Sequence, residues 1–156
     1  MTHVAASPHI VDVLIAERAP RLTQSWVWPV VRPALYRLLG YPKAVAMADA
    51  MQDRSGPESL QYLSALLRLK VETKGPENLP APGRCVIVCN HPTGIADGVA
   101  MDDAIRRVRQ DAIFFANADA IRVAPRLSES IIPVEWVHEK RTREKTRQTL
   151  NAAKQA

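Results

Sequence analysis

Apolar residues recur at helical spacing through the first 65 or so positions and then give way to alternation and short continuous apolar runs. Ser7 followed by Pro8 predicts a helix start, with Ile10, Val13, Leu14 and Glu17 at helical spacing and Pro20 as the stop. A second helical segment, Leu22 to Leu39, is interrupted by Pro29 and Pro33 and ends at Gly40-Tyr41-Pro42. Ala44 to Gln52 and Pro57 to Leu67 read as two more helices, divided by the turn-like Asp53-Arg54-Ser55-Gly56.

After Leu67 the period changes. Leu69, Val71 and Thr73 alternate with Lys70, Glu72 and Lys74, which predicts a strand with one wet face. A Pro/Gly-rich connection, Gly75 to Arg84, leads into Cys85–Cys89, a continuous apolar run suited to a strand buried on both faces. A helix over Gly98–Gln110 and strands over Ala112–Ala116 and Ile131–Glu135 follow. The alternation predicts an α/β fold, a largely parallel sheet with flanking helices, preceded by an N-terminal helical region. The division falls into residues 1–65, helical, and residues 66–156, the N-terminal part of an α/β domain. From Glu139 to Ala156 the residues are helix formers with Thr142, Thr146, Leu150 and Ala153 on one side and no terminal stop signal. In an α/β sheet such a helix delivers the next strand, so the domain is expected to be incomplete at its C-terminus.

Composition narrows the class. The 156 residues are 47% hydrophobic and 24% charged, ordinary globular usage, which excludes collagen-like and disordered chains. Lys and Arg outnumber Asp and Glu by 21 to 16, giving a net charge of +5. Cys85 and Cys89, four apart on a strand, would lie about 13 Å apart, beyond the roughly 7 Å a disulfide allows. A reduced, intracellular protein is expected. The N-terminal twenty residues lack the basic and apolar regions of a secretory signal, and no run approaches the roughly 18 apolar residues of a membrane span.

The densest chemical signal is Asn90-His91-Pro92-Thr93-Gly94-Ile95-Ala96-Asp97-Gly98, directly after the apolar run. Loops at the carboxyl ends of parallel strands are where α/β folds place their sites. Pro92 stops the strand, and Gly94 and Gly98 permit a tight path that brings His91 and Asp97 within hydrogen-bond reach. With Asp97 accepting the Nδ1 proton, the other ring nitrogen is free to take a substrate proton, the arrangement of an oriented general base. No serine or cysteine stands in a G-x-S-x-G elbow, so the attacking group is a substrate hydroxyl and the pair suits direct acyl transfer.

These residues resemble the glycerol-phosphate and lysophospholipid acyltransferases, whose first block is written N-H-x-x-x-x-D. Here the spacing is one residue longer, and NHPTGIADG is similar to the N-H-P-x-G-x-x-D-G form of a bacterial hemolysin-like branch. LRLKVETKGPENLP resembles the strand and turn ahead of that block, and IFFANADAIRVAPRLSESIIPVE the segment after it, with Asn117 following its strand and Ile132-Pro133-Val134 in the next. The resemblance implies His91 as catalytic base and Asp97 as its orienting acid. It also assigns Asn90, Gly94 and Asn117 to substrate binding, with Arg122 or Arg126 contacting the acceptor phosphate. The implied reaction is O-acyl transfer to a glycerol-phosphate or lysophospholipid-type hydroxyl from a thioester on coenzyme A or acyl carrier protein. No bound cofactor and no metal are implied. The family's third block, F-P-E/A-G-x-R, is absent from the sequence. The competing expectation is therefore a truncated, inactive domain that binds lipid or a partner.

Cys85, Cys89 and His91 share a parity, as zinc ligands might, yet ligands spread along one straight strand cannot surround one ion, so the cysteines are expected in the core. Trp26, Trp28 and Tyr36, with Arg21, Arg32 and Arg37, suit either helix packing or an anionic lipid surface; the resemblance favours a peripheral site on the cytoplasmic face of the membrane. The basic run His138–Arg147 raises a third reading, a nucleic-acid-binding module. Without interleaved aromatics to stack on bases, it reads as a solvated helix face, and no nucleic-acid partner is expected.

Overall fold

The computed structural model describes residues 7–156. The reading of the N-terminus as no secretory leader rests in part on residues 1–6, which lie outside the described residues. Five helices lead the chain: α1 (Ile10–Arg18), α2 (Pro20–Thr23), α3 (Trp28–Leu38), α4 (Tyr41–Met51) and α5 (Gly56–Leu67). After a long connection come α6 (Ile95–Ile105), β1 (Phe114–Asn117), α7 (Asp119–Val123), β2 (Ile131–Val134) and α8 (Arg143–Gln155). The strands pair in parallel, Phe114 opposite Ile131 through Asn117 opposite Val134, with α7 and a 3-10 turn as the crossover. The fold is thus α/β with flanking helices, although its sheet has two strands among the described residues.

Local chemistry explains most boundaries. α5 begins with a capping box: the Ser55 hydroxyl accepts the Glu58 N–H, and the Glu58 carboxylate accepts the Ser55 N–H. α4 starts three residues earlier than expected because Gly40, at φ 70°, turns the chain directly into Tyr41-Pro42. α1 is capped by His9 and not by Ser7. Nδ1 of His9 accepts the Val11 N–H at 3.2 Å while Nε2 meets Asp49 at 3.0 Å, so one ring caps α1 and ties it to α4. Pro33 does not break α3. It lies on the exposed side, where its missing N–H leaves the Pro29 carbonyl to water.

The strands expected over Leu69–Thr73 and Cys85–Cys89 do not form. Leu69 packs against the core from an irregular segment. Cys85–Cys89 runs exposed, with Val86 at 88% and Val88 at 87% of full exposure, and neither cysteine is buried. A strand needs a neighbour to take its backbone groups, and among the described residues β1 and β2 pair only with each other. The connection is held instead by Arg109, expected inside a helix but standing beyond the end of α6. Its guanidinium donates to the carbonyls of Pro80 and Gly83 and to Cys85 Sγ, and also binds the Asp111 carboxylate.

The core joins Met51 of α4, Leu60 and Leu63 of α5, Val99 of α6, Ala124 and Leu127 of the crossover and Ile131 of β2. Charged contacts fasten α1 to the crossover. Arg122 grips the Glu17 carboxylate with two hydrogen bonds of 2.7 and 2.9 Å, Lys140 adds a third at 2.9 Å, and Arg18 pairs with Asp119. Arg122 and then Lys140 hold the Glu17 carboxyl down at about 2, against an ordinary 4.5. The stability this network contributes is therefore fully present above about pH 4.5 and lost as the pH falls toward 2. Thermal melts of Glu17→Gln and the parent chain should differ, the parent being more stable near neutrality, and converge as the pH is lowered through that window.

Candidate active site

The Asn90–Gly98 loop follows the exposed run and enters α6 through Gly94, whose φ of 71° and ψ of −121° form a mirror-image extended conformation open chiefly to glycine. That turn places Asp97 in the first turn of α6, where the helix dipole favours a negative charge. Both carboxylate oxygens are engaged by one residue: the Thr93 N–H donates to Oδ2 at 2.7 Å and the Thr93 hydroxyl to Oδ1 at 2.6 Å. These bonds, chiefly the hydroxyl's, hold the Asp97 carboxyl below the usual range, with the nearby His91 acting in the same direction. His91 Nδ1 stands 3.6 Å from Asp97 Oδ2, within charge-pair reach but longer than a hydrogen bond. More than half of the His91 side chain is exposed, leaving the ring open to an incoming molecule.

Thr93 is the residue that the sequence reading missed. Its signal is a hydroxyl residue ahead of a helix whose third position is acidic, the pattern of a capping box lengthened by the glycine at the cap. Gly98, expected to shape the loop, lies inside α6, and a methyl group there would meet nothing within 4 Å.

Of the remaining candidates, Asn90 adjoins the pair and the others are placed elsewhere. Asn90 is exposed beside His91. Asn117 ends β1, its Oδ1 accepting the Asp119 N–H at 3.0 Å. Arg122 is engaged by Glu17 and Asp119, and Arg126 by Glu129 and the Asp53 carbonyl. Among the described residues no hydrogen bond or ion pair links Asn117, Arg122 or Arg126 to the His91 loop. A concavity of about 790 Å³ lies elsewhere, lined by Asp49, Asp53, Arg54, Glu58 and Tyr62 among others, with no residue of the motif. Of the basic run, Lys140, Lys145 and Arg147 are paired with Glu17, Glu135 and Glu144. No group of three or more His, Cys, Asp or Glu among the described residues is arranged to hold a metal ion.

Residues 70–156, more than half of the chain, match the family model described as Acyltransferase. A lyso-glycine lipid O-acyltransferase of Bacteroides thetaiotaomicron is 27% identical over 124 residues, covering 80% of this chain and 45% of that protein. A protein of the same description from Phocaeicola vulgatus is 46% identical over 50 residues, covering 32% of this chain and 18% of its own length. The chain thus spans less than half the length of these curated relatives. No solved structure matches.

The two glycines should separate cleanly on substitution. Gly98→Ala is expected to raise stability by about 0.4–1 kcal/mol, since the new methyl meets open space and restricts the unfolded chain. Gly94→Ala should lower it by about 1–3 kcal/mol because of its backbone conformation. Urea unfolding of both variants checks the pair, and equal effects would contradict the assigned turn.

Proposed function

The chain belongs to the acyltransferase family, and we propose that it transfers a fatty acyl group from an acyl thioester to the hydroxyl of a lipid acceptor, with His91 as general base. The observation that carries this reading is the loop geometry: an ionised Asp97, fixed by Thr93, faces Nδ1 of His91 and leaves Nε2 for the substrate. The acceptor hydroxyl gives its proton to Nε2 as its oxygen bonds to the thioester carbonyl carbon. The carbon–sulfur bond then breaks, and the imidazolium returns the proton to the departing thiolate. The 3.6 Å separation shortens when substrate settles, as catalytic contacts in empty sites commonly do.

The donor in this reading is coenzyme A or acyl carrier protein. The acceptor is a glycerol-phosphate or lysophospholipid-type molecule, or a lyso-glycine lipid such as the relatives' description names. The same reading assigns Asn90, Gly94 and Asn117 to the acceptor, and its phosphate to Arg122 or Arg126, which would have to exchange Glu17 and Asp119, or Glu129, for it. The site of action is the cytoplasmic face of the membrane, reached peripherally; no described helix is long and apolar enough to cross a bilayer.

The test is transfer from a labelled acyl thioester to a panel of glycerol-phosphate, lysophospholipid and lyso-glycine lipid acceptors. His91→Ala should lower transfer about 10²- to 10⁴-fold, Asp97→Asn by a similar factor, with Thr93→Val between Asp97→Asn and the parent. Absence of transfer by a folded parent chain, or full activity in His91→Ala, would reject the reading. The first result would leave a lipid- or partner-binding domain without turnover.

A further inference from the structure

The outward face of α3 is apolar where a surface helix is ordinarily polar. Val30, Ala34 and Leu38 recur at every fourth position, all exposed, with Val30 at 76% and Leu38 at 81%. Trp26, at 89% exposure, stands four positions ahead of Val30 in the turn between α2 and α3, and Leu39 continues the apolar surface at the other end. Inward-facing residues explain why this surface is not simply a core turned outward. Trp28 meets Tyr36 edge to face at 5.9 Å, Tyr36 stacks on Tyr41 at 4.0 Å, and both tyrosine hydroxyls donate to Asp12 at 2.7 Å. Of the three aromatics singled out from the sequence, two hold the helices together and one faces out.

The charges around this face have one sign. Between Arg18 and Asp49 the chain carries Arg21, Arg32, Arg37 and Lys43 and no Asp or Glu. All four cations are exposed and none forms an ion pair among the described residues, but Arg32 lies over the inward-facing Tyr36 ring at 5.5 Å, which leaves Arg21, Arg37 and Lys43 for the outer face. An exposed tryptophan beside aliphatic side chains, accompanied by Arg21, Arg37 and Lys43 and no anions, matches a bilayer interface, whose acyl region receives the apolar groups and whose headgroups receive the charges. A protein partner buried over the same face would have to neutralise those cations with a matched acidic rim. We infer that the α2–α3 surface formed by Trp26, Val30, Leu38 and Leu39 with Arg21, Arg37 and Lys43 is a docking face for an anionic lipid bilayer. This inference does not depend on acyl transfer, since none of these residues belongs to the His91 loop.

Co-sedimentation with vesicles of phosphatidylcholine, alone or mixed with phosphatidylglycerol, tests the face directly. The full chain should bind the mixed vesicles more tightly, lose affinity as salt is added, and show a blue shift of tryptophan fluorescence on binding. Leu38→Glu, at an exposed position, should weaken binding roughly 10- to 100-fold. Arg21→Gln and Arg37→Gln should each weaken it roughly fivefold on anionic vesicles only. Trp26→Phe should bind while losing the shift. No binding to the mixed vesicles, undiminished binding by a folded Leu38→Glu, or a blue shift retained in Trp26→Phe would overturn the assignment. So would a dimer of the parent chain that Leu38→Glu dissolves, because a second copy would then cover the face. His91→Ala should bind like the parent, which separates failure of this inference from failure of the catalytic reading.

Discussion

The candidate site depends on which face of α6 is buried. Val99 and Ile105 are turned inward, and Val99 joins Leu60 and Leu63 of α5 in the core. Ser64 of α5 reinforces that setting by donating to Asp103 at 2.5 Å. Because successive helical residues are separated by about 100°, rotating α6 by one position would carry Asp97 away from Thr93. The core contact of Val99 therefore determines, two residues away, where the carboxylate that addresses His91 must point. Large-to-small changes in this cluster should be felt at the loop before the fold is lost, since close-packed interiors transmit strain.

The N-terminal helices are organised by polar contacts more than by burial. α1 and α3 contain no fully buried residue, yet Asp12 collects two tyrosine hydroxyls, His9 reaches Asp49 and Glu17 reaches Arg122 and Lys140. Burial, aided by the Asp12 carboxylate, pushes the Tyr36 hydroxyl up to about 12, so it remains a donor throughout the neutral range. Exposed ion pairs contribute little singly. Their convergence from α1, α7 and the segment around Lys140 makes the arrangement a joint between the helical region and the crossover, and leaves the outer surface of α3 uncommitted.

What could be read from the sequence was what depends on near neighbours. The Pro57–Leu67 helix and the strands around Ala112–Ala116 and Ile131–Glu135 follow from local spacing and have their counterparts, whereas His91 and Asp97 come to 3.6 Å, charge-pair reach and not the hydrogen bond that the spacing suggested. The errors at Leu69–Thr73 and Cys85–Cys89 share one cause: alternation and apolar runs describe a strand's side chains, but pairing depends on a distant neighbour. The reach of Arg109 across the Pro80–Cys85 connection is likewise a tertiary fact without local periodicity. Thr93 was legible in principle as half of a stretched capping motif. Its partnership with both oxygens of Asp97 was hidden by the conformation of Gly94, since residue identity alone does not disclose which turn a glycine will make.

Cys85–Cys89 is five uncharged residues with three β-branched side chains, and its backbone groups form no hydrogen bonds among the described residues. Such a run is a template onto which a matching segment of another chain can crystallise, the elementary step of cross-β growth. Arg84 places a charge at one end, and Pro92 lacks an N–H shortly beyond the other, so the stretch is flanked by residues that impede stacking. Association through this run would draw on a segment outside both the core and the His91 loop. Because this association needs two molecules, it becomes steeply more important as the solution is concentrated.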